Sequence, residues 1–408
     1  MDYASSAPTD RGVLRVMRKA ESEIFANPGS LHHPAVLAKK AVEESRIKIA
    51  NVLGAHKDEI IFTGSGTESN NLAVLGITSY VRHRKPMSDI GSFIPHIISS
   101  NIEHSSILEA LKILEKEGVE VSLVSVDADG FIDHKEIKKL LKSNTVLVSI
   151  MYANNEIGTI QSIREIAKEI RHFKRLDIKN PKRSDLSVYP LFHTDATQAM
   201  NYLPINVEKL GVDLMTWNGP KIYGPKGIGG LYVRRNTPIA PIMGGGGQEF
   251  GLRAGTENVP AIIGFAKALE IAEKVKEKEV KRLTSLRDYF LLRFDLNNWS
   301  KAVLNGSIIN RLPNNLNITI SGIESELLVI ELDAKGIYVS SKSACKNYET
   351  DESTESYVIE VLRKASGSKV QADGIRFSLG RDTKKEDIDH VIKSLKKILN
   401  KLKKWYID

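Results

Sequence analysis

The chain has 408 residues, 41% of them hydrophobic and 26% charged, which is typical of a soluble globular protein of about two or three domains. Its start, MDYASSAPTDRG, lacks the basic end and apolar stretch of a signal peptide, and no uncharged apolar run is long enough for a membrane span, so we expect a cytoplasmic protein. A net charge of +8 would suit nucleic-acid binding, but the lysines are spread along the chain and are densest in the segment 383–405.

Helical and strand-like segments alternate from residue 34 to about residue 233. The first is a helix that opens with Pro34 and ends at Gly54. Such alternation is typical of βαβ units and predicts a largely parallel sheet that is covered on both faces. The predicted strands are short, apolar and β-rich: EIIFTGS, PHIISSN, VEVSLVSV, TVLVSIMY, PLFHTDA and VDLMTWN.

A glycine run, GGGGQEFG, and a long helix over about 257–295 lead into a smaller α+β pattern. We predict the strands NNLNITI, IYVSS and GIRFSLG and the helix ESELLVIELDAKG there. In the last helix the lysines lie opposite an apolar stripe, so a solvated helix surface is favoured over a nucleic-acid site. The stripe consists of Ile388, Val391, Ile392, Leu395, Ile398, Leu399 and Leu402. The pattern predicts a large α/β domain followed by a smaller C-terminal domain.

The stretch TWNGPKIYGPKGIGG contains two lysines, Lys221 and Lys226, within six positions. It has the GxxxxG spacing of a phosphate loop, but Gly227 stands where a Ser or Thr would bind phosphate and magnesium. A dinucleotide fingerprint is also disfavoured, because the glycines run into a strand rather than a helix. We therefore expect no nucleotide site here.

Polar clusters follow four of the predicted strands. In FTGSGTESNN, Gly66 and Thr67 lie between a strand and a helix, where free N–H groups and the positive helix end favour an anion. Asp195 in HTDATQ ends a predicted parallel strand, where such sheets bind ligands, although a helix N-cap would explain it equally well. His104 and Asn155 follow two further strands, and each alone could be a cap or a turn. Together the four clusters favour one shared pocket.

A phosphate turn, a strand-end aspartate and a lysine are together what pyridoxal 5'-phosphate requires. A lysine forms a Schiff base with its aldehyde, and a carboxylate keeps the pyridine nitrogen protonated. Lys221 directly follows the strand VDLMTWN and is the predicted anchor, whereas we interpret Lys226 as structural.

The single cysteine, Cys345, excludes disulfide bonds within the chain, which fits a reducing compartment. A lone cysteine is most often a small buried hydrophobe. The surrounding segment SSKSACKNYETDESTESY is polar and has no apolar periodicity, so it predicts an exposed loop in which a reactive thiol can lie.

Motifs along almost the whole chain resemble those of the cysteine desulfurases, fold-type I pyridoxal-phosphate enzymes of the class V aminotransferase group. The subgroup with Ser-Ala-Cys in a long mobile loop is the most similar. The resemblance implies a large cofactor-binding domain with a mainly parallel seven-stranded sheet, residues 10–256, and a small α+β domain built from 1–9 and 257–408. The motifs are DYASSAPTD, NPGSLHH, IIFTGSGTESNNLAVLG, IEHSSI, VSIMYANNEIG, HTDATQA, KIYGPKGIGGLYVRR, GGGGQEFGLRAGTEN, SSKSAC and IRFSLGR.

The resemblance also implies roles for individual residues. Lys221 would form the Schiff base, Asp195 would bind the pyridine nitrogen, and His104 would stack on the ring and assist proton transfers. Asn155 and Arg376 would hold the substrate carboxylate, a task that suits a planar guanidinium. Further cofactor contacts would come from Gly66, Thr67, Asn155, Gln198, Asn218 and, from the other subunit of a homodimer, Thr256.

The implied reaction takes sulfur from L-cysteine. A thiolate at Cys345 would attack the substrate sulfur, keep it as a persulfide and release L-alanine. The sulfur would pass to an acceptor protein, a scaffold or a sulfur carrier, for iron–sulfur cluster assembly or tRNA thiolation, and a cluster could be handed on through Cys345. The sequence does not identify the acceptor, and we expect no metal site, nucleic acid or membrane partner.

Two positions depart from the family's Ser-x-His before the lysine, which are Asn218 and Pro220 here. Asn218 can still donate a hydrogen bond to a phosphate, whereas Pro220 offers none and restricts Gly219. The alternatives are a selenocysteine lyase, another class V lyase or transaminase, and a cofactor-binding subunit with impaired activity. A transaminase would have no use for Cys345.

Overall fold

The structure is a computed structural model that describes residues 1–84, 93–177, 188–294, 302–341, 356–367 and 373–406. The helices of these ranges are α1 (Arg11–Glu23), α2 (His33–Leu53), α3 (Gly66–Arg84), α4 (Ser105–Lys116), α5 (His134–Leu140), α6 (Ile163–Asp177), α7 (Val207–Leu210), α8 (Val259–Phe294), α9 (Ser325–Asp333), α10 (Tyr357–Ala365) and α11 (Lys385–Tyr406). The strands are β1 (Ile60–Thr63), β2 (His96–Ser100), β3 (Glu120–Val124), β4 (Thr145–Ser149), β5 (Leu191–Asp195), β6 (Leu214–Asn218), β7 (Gly229–Val233), β8 (Ala302–Leu304), β9 (Asn315–Ile320) and β10 (Gly374–Ser378).

Seven strands form the larger sheet in the order β1-β7-β6-β5-β4-β2-β3. The neighbours from β3 to β6 are parallel, and β7 runs antiparallel to both β6 and β1. Strands β1, β2, β4, β5 and β7 are buried along their whole length, as in a sheet that is covered on both faces. The mainly parallel seven-stranded sheet is thus confirmed.

The predicted helix between Pro34 and Gly54 corresponds to α2. Pro34 lies in its first turn, and Gly54 is the C-cap in the left-handed conformation, with a φ of 67°. This positive φ favours glycine, and a Cβ at position 54 would also displace the side chain of Asn206, whose Nδ2 would lie 2.1 Å away.

A second, antiparallel sheet has the strand order β10-β9-β8, and β8 was not predicted. It packs on α9, α11 and the end of α8, with Phe290 and Phe294 in its core. The start of α8 packs instead under the larger sheet, through Val259 and Phe265, so one helix serves both cores. All seven apolar residues of the α11 stripe are buried, which confirms that prediction.

The predicted strand IYVSS is wrong. Only Ser340 pairs, in an isolated bridge in which it exchanges two backbone hydrogen bonds with Arg376 of β10. The N-terminus takes the next place on the same edge, because the amide of Ser378 donates to the carbonyl of Met1 at 2.8 Å. Two short segments, around Ser340 and at the N-terminus, therefore share this edge of β10.

The predicted loop around Cys345 lies outside the described residues from position 342 to 355. None of the described helices has both the length and the apolar character needed to cross a bilayer.

Candidate active site

A cavity of about 180 Å³ opens where the parallel strands of the larger sheet end. It is bounded by residues that follow β1, β2, β4, β5 and β6 and by β10 of the smaller sheet. Nine residues named from the sequence line it: Gly66, Thr67, His104, Asn155, Asp195, Gln198, Asn218, Lys221 and Arg376. The structure thus brings together polar clusters that are far apart in the chain.

Asp195 is the last residue of β5 and is held at both carboxylate oxygens. Oδ2 accepts a hydrogen bond from Nδ2 of Asn70 at 2.7 Å, and Oδ1 accepts one from the amide of Thr197 at 2.9 Å. The two interpretations of this residue are therefore compatible, because it caps the turn that follows β5 while it lines the cavity.

His193 lies two residues before Asp195 in β5 and is hydrogen-bonded to both neighbouring strands. Its Nδ1 and Nε2 atoms are hydrogen-bonded to Oγ of Ser149 at 2.9 Å and to Oγ1 of Thr216 at 3.0 Å. Burial lowers the pKa of His193 to about 4, so the ring is neutral near pH 7. We conclude that it ties β5 to β4 and β6.

A chain of hydrogen bonds connects Asp195 to His104, the N-cap of α4. Asn70, which donates to Asp195, also donates to Oγ of Ser106 at 2.8 Å. Nδ1 of His104 lies 2.8 Å from that Oγ and accepts from the amide of Ser106 at 3.1 Å. Because Nδ1 is an acceptor, the neutral ring carries its proton on Nε2.

The start of α3 forms a cradle that fits a phosphate group. A Cβ on Gly66 would lie 3.1 Å from Nδ2 of Asn218 and 3.5 Å from Oγ1 of Thr197, so glycine keeps this end of the helix open. Oδ1 of Asn218 is buried and has no hydrogen-bond partner among the described residues. A helix N-terminus beside amide and hydroxyl donors favours an anion.

Lys221 follows β6 after a tight turn. The turn depends on Gly219, where a Cβ would lie 2.3 Å from the carbonyl oxygen of Pro225. Nδ2 of Asn201 donates to the carbonyl of Lys221 at 2.6 Å, and Nζ of Lys221 contacts the carbonyl of Ser5. Lys226 is exposed and does not line the cavity.

The opposite side of the cavity is formed by Arg376 of β10, which is 3% exposed. Its Nη1 donates to the carbonyl of Asn155 at 3.0 Å, and its Nη2 donates to Oδ1 of Asp2 at 2.8 Å and to Oγ of Ser5 at 2.6 Å. Nε of Arg376 and Oδ1 of Asn155 are buried without a hydrogen-bond partner in the described part of the chain. The unpaired N–H of Arg376 fits a ligand that carries a carboxylate, whereas Oδ1 of Asn155 can only accept a hydrogen bond.

The contribution of the N-terminal residues to the cavity was not predicted from the sequence. Ala4 and Ser5 line the cavity, and Asp2 is ion-paired with Arg376. Their only signal was the resemblance of DYASSAPTD to a family motif. Asn70, inside α3, was missed as well, because one polar residue within the polar run TESNN gives no indication of what it faces.

Two named residues are not in the cavity wall. Thr256 is exposed, as a residue offered to another subunit would be, and its neighbour Arg253 donates to Glu68 at 2.9 Å. Glu68 in turn accepts from the amide of Gly64, in the phosphate turn, at 2.7 Å. Cys345 is outside the described residues.

Two buried glutamates lie next in the chain to residues that line the cavity. Glu103 precedes His104 and accepts from Oγ of Ser100 at 2.6 Å and from the amide of Met151 at 2.9 Å, while burial raises its pKa to about 8. Glu156 follows Asn155, contacts Oγ of Ser356, and also has a pKa that burial raises. Both carboxyl groups therefore favour the protonated form more than exposed glutamates do.

Comparisons with known proteins identify the family. Residues 1–391 match the family described as Aminotransferase class-V. The chain is 42% identical over 404 residues to the cysteine desulfurase IscS of Dictyoglomus turgidum, which covers 99% of this chain and 95% of that protein. It is 38% identical over 406 residues to the cysteine desulfurase IscS 1 of Archaeoglobus fulgidus, which covers 98% of this chain and 97% of that protein.

Solved structures agree. A NifS-like protein matches with a TM-score of 0.84 and 33% identity over 98% of each chain. SspA in complex with cysteine matches with a TM-score of 0.73 and 31% identity over 93% of this chain and 97% of that one. The chain therefore belongs to the class V aminotransferase family and, within it, to the cysteine desulfurases.

Proposed function

We propose that the chain is a cysteine desulfurase that removes sulfur from L-cysteine with bound pyridoxal phosphate, giving L-alanine and a persulfide on Cys345. One observation carries the proposal. Nine residues from distant motifs line a single cavity, in which an anion cradle, a strand-end carboxylate, a lysine and a buried guanidinium face one another. Its relatives in the family, which depend on pyridoxal phosphate, support the same conclusion.

The residues present fit this cofactor. Pyridoxal phosphate, when bound, supplies an electron sink for the carbon atoms of the amino acid. Lys221 would hold its aldehyde carbon, Asp195 would keep its ring nitrogen protonated, and Thr67 at the start of α3 would hold its phosphate. The remaining contacts would come from Gly66, His104, Asn155, Gln198, Asn218 and, from a second subunit, Thr256.

The chain's own groups would orient the substrate and move protons. Arg376 and Asn155 would hold the carboxylate of L-cysteine, and because Arg376 is buried its charge is little screened by water. Nζ of Lys221 would carry protons to and from the substrate carbon atoms. His104, whose ring is fixed through Ser106, would assist at Nε2.

Cys345 would accept the sulfur. Its thiolate attacks the sulfur atom of the substrate, so that a new S–S bond forms as the C–S bond breaks. The electron pair of the C–S bond stays with the carbon fragment, which takes up a proton and leaves as L-alanine. The persulfide sulfur then passes to an acceptor protein, and the IscS names of the relatives favour an acceptor in iron–sulfur cluster assembly.

A homodimer would complete the site. Thr256 lies outside the cavity of its own chain, and large apolar side chains are exposed: Phe25 at 77%, Leu31 at 97% and Phe250 at 57%. Exposed apolar surface is typical of a subunit interface. Light scattering of the active protein is expected to give twice the mass of one chain, and an active monomer would contradict this arrangement.

The decisive experiment is a desulfurase assay of the protein and of its Cys345→Ser variant. With L-cysteine and a thiol reductant, the protein should release sulfide and alanine in equal amounts, and mass spectrometry without reductant should find one extra sulfur atom on the peptide that contains Cys345. The variant should still bind the cofactor and respond spectrally to L-cysteine, but it should form neither persulfide nor sulfide. Unchanged turnover in the variant would refute the mechanism.

The same assay separates the alternatives. A selenocysteine lyase would turn over L-selenocysteine and leave L-cysteine untouched. A transaminase would consume a 2-oxo acid and would not depend on Cys345. An impaired subunit would bind the cofactor and release neither product.

A further inference from the structure

The N-terminal segment holds one side of the guanidinium of Arg376. Both Asp2 and Ser5 accept hydrogen bonds from Nη2, and Oγ of Ser5 donates to Oδ1 of Asp2 at 2.9 Å. The two acceptor atoms are therefore neighbours and approach Nη2 from the same side. Together with the carbonyl of Asn155, which accepts from Nη1, they hold both Nη atoms of the guanidinium group.

One N–H group of the guanidinium, at Nε, has no hydrogen-bond partner among the described residues. An arginine binds a carboxylate through two adjacent N–H groups, either on the Nη1/Nη2 end or on the Nε/Nη2 edge. In Arg376 the protein contacts use Nη1 and Nη2, and the buried Nε has no partner among the described residues. Because Arg376 lines the cavity, a substrate carboxylate there would meet a guanidinium whose Nε–H is still unpaired in the described part of the chain.

Asp2 also supplies the charge that a buried guanidinium requires. Its carboxylate lies 2.8 Å from Nη2, and the side chain of Arg376 is 4% exposed against 29% for Asp2. A buried cation without an anion is strongly destabilised, and it tends to move toward water or another partner. The ion pair thus keeps Arg376 in one position before any substrate arrives.

The segment is itself fixed on both sides of the cavity. The carbonyl of Ser5 accepts from Nζ of Lys221, and the carbonyl of Ala4 accepts from Nε2 of Gln198 at 3.1 Å. The amide of Ala4 donates to Oγ of Ser378, in β10, at 2.9 Å. Asp2 and Ser5 are therefore presented to Arg376 from a segment with contacts to both sheets.

We propose that Asp2 and Ser5 are positioning residues for the substrate, which hold the guanidinium of Arg376 in the place where it receives the carboxylate of L-cysteine. The inference rests on the proposed function, in which Arg376 binds that carboxylate. It assigns substrate recognition to the N-terminal segment, which touches the substrate only through Arg376.

The test compares two ligands that differ only in the carboxylate. The holoenzyme is titrated with L-alanine and with ethylamine while the visible absorption of the cofactor is followed. Asp2→Asn should weaken L-alanine binding about tenfold, because a charge-assisted hydrogen bond is lost, and should change ethylamine binding less than about twofold. The KM for L-cysteine should rise in parallel, while kcat changes less than about threefold.

Two further variants sharpen the comparison. Ser5→Ala removes a neutral partner and keeps the carbonyl that Lys221 contacts, so L-alanine binding should weaken by only about threefold. Asp58→Asn removes an exposed carboxylate that pairs with Arg235 at 2.6 Å, outside the cavity, and should leave both ligands unaffected.

Each other outcome counts against the proposal. Equal weakening for L-alanine and ethylamine would make Asp2 a structural residue, and tighter L-alanine binding in Asp2→Asn would make it a competitor of the substrate. An active parent enzyme with an unchanged Asp2→Asn variant would defeat this inference alone. A parent protein that binds no pyridoxal phosphate, or forms no alanine from L-cysteine, would defeat the proposed function and the inference with it.

Discussion

The cavity has two walls that the chain builds in different ways. The sheet wall, which consists of His104, Asp195 and Lys221, is formed by residues at or just after the ends of strands of the larger sheet. The edge wall, which consists of Asp2, Ser5 and Arg376, joins residues that are 371 and 374 positions apart in the chain. The first wall comes from local strand-to-loop patterns and the second from contacts between the two ends of the chain.

This difference predicts that the two walls have different functions. We expect the sheet wall to hold the cofactor and carry out the proton transfers, and the edge wall to select the amino acid by its carboxylate. Substitutions in the first wall should then lower kcat or remove the cofactor, whereas substitutions in the second should raise KM.

The largest effect is expected for Lys221→Ala, which removes the amine that would anchor the cofactor and move protons. Alanine formation should fall by at least about a thousandfold. Borohydride should fix the cofactor to the peptide of Lys221 in the parent protein and to no peptide in the variant, as measured by mass spectrometry. Lys226→Ala is the matched control, because Lys226 is exposed and outside the cavity, and it should keep both label and activity. Label on Lys226 would break the assignment of the sheet wall.

The two walls also differ in how far the sequence predicted them. Asp195 and Lys221 could be found because each follows a recognisable apolar strand, and the carboxyl ends of parallel strands meet at one edge. The paired ends of the chain could not, since hydrogen bonds across 374 residues leave no local periodicity. The prediction of a strand at IYVSS was wrong for a related reason. Apolar and β-branched residues indicate an extended chain, but they do not show that another segment pairs with the same edge of the sheet.

A second experiment tests the sheet wall by removing the negative charge of Asp195. In Asp195→Asn the amide oxygen can still accept from Thr197, but the carboxylate that would keep the cofactor's ring nitrogen protonated is gone. We expect kcat for L-cysteine to fall roughly a hundredfold, with KM changed only slightly. Steady-state kinetics measure both constants. A rise in KM at constant kcat would place Asp195 with the edge wall and break the comparison.

The corresponding experiment in the edge wall is the substitution Arg376→Lys. Lysine keeps the positive charge but lacks the planar fork that contacts Asn155 and Asp2 and that would bind the substrate carboxylate. KM for L-cysteine should rise about tenfold while the visible spectrum of bound cofactor stays the same. Loss of the cofactor from this variant would show that the two walls are not separable.

The smallest effect is expected on the pH dependence of stability, and it comes from a feature that both walls share, a buried glutamate. Each wall has a buried glutamate close to it: Glu103 precedes His104 of the sheet wall, and Glu156 follows Asn155, whose carbonyl accepts from Arg376 of the edge wall. Burial raises the pKa of both glutamates. For Glu103 the nearby charge of Asp195 adds to burial, and its pKa reaches about 8 against an ordinary value of 4.5. Between these two values the folded state binds more protons than the unfolded state, so the free energy of unfolding falls as the pH rises through this window.

Glu103→Gln should remove this dependence, because the amide oxygen can accept from Ser100 and Met151 without ionising. The variant should gain stability relative to the parent between about pH 5 and about pH 9, by on the order of 3 kcal/mol. Urea unfolding at fixed protein and cofactor concentrations measures the difference, and Glu109→Gln, at an exposed ion pair on α4, is the control. A difference that stays constant with pH would mean that Glu103 is ionised in the folded protein, and the sheet wall would then carry a second negative charge beside Asp195.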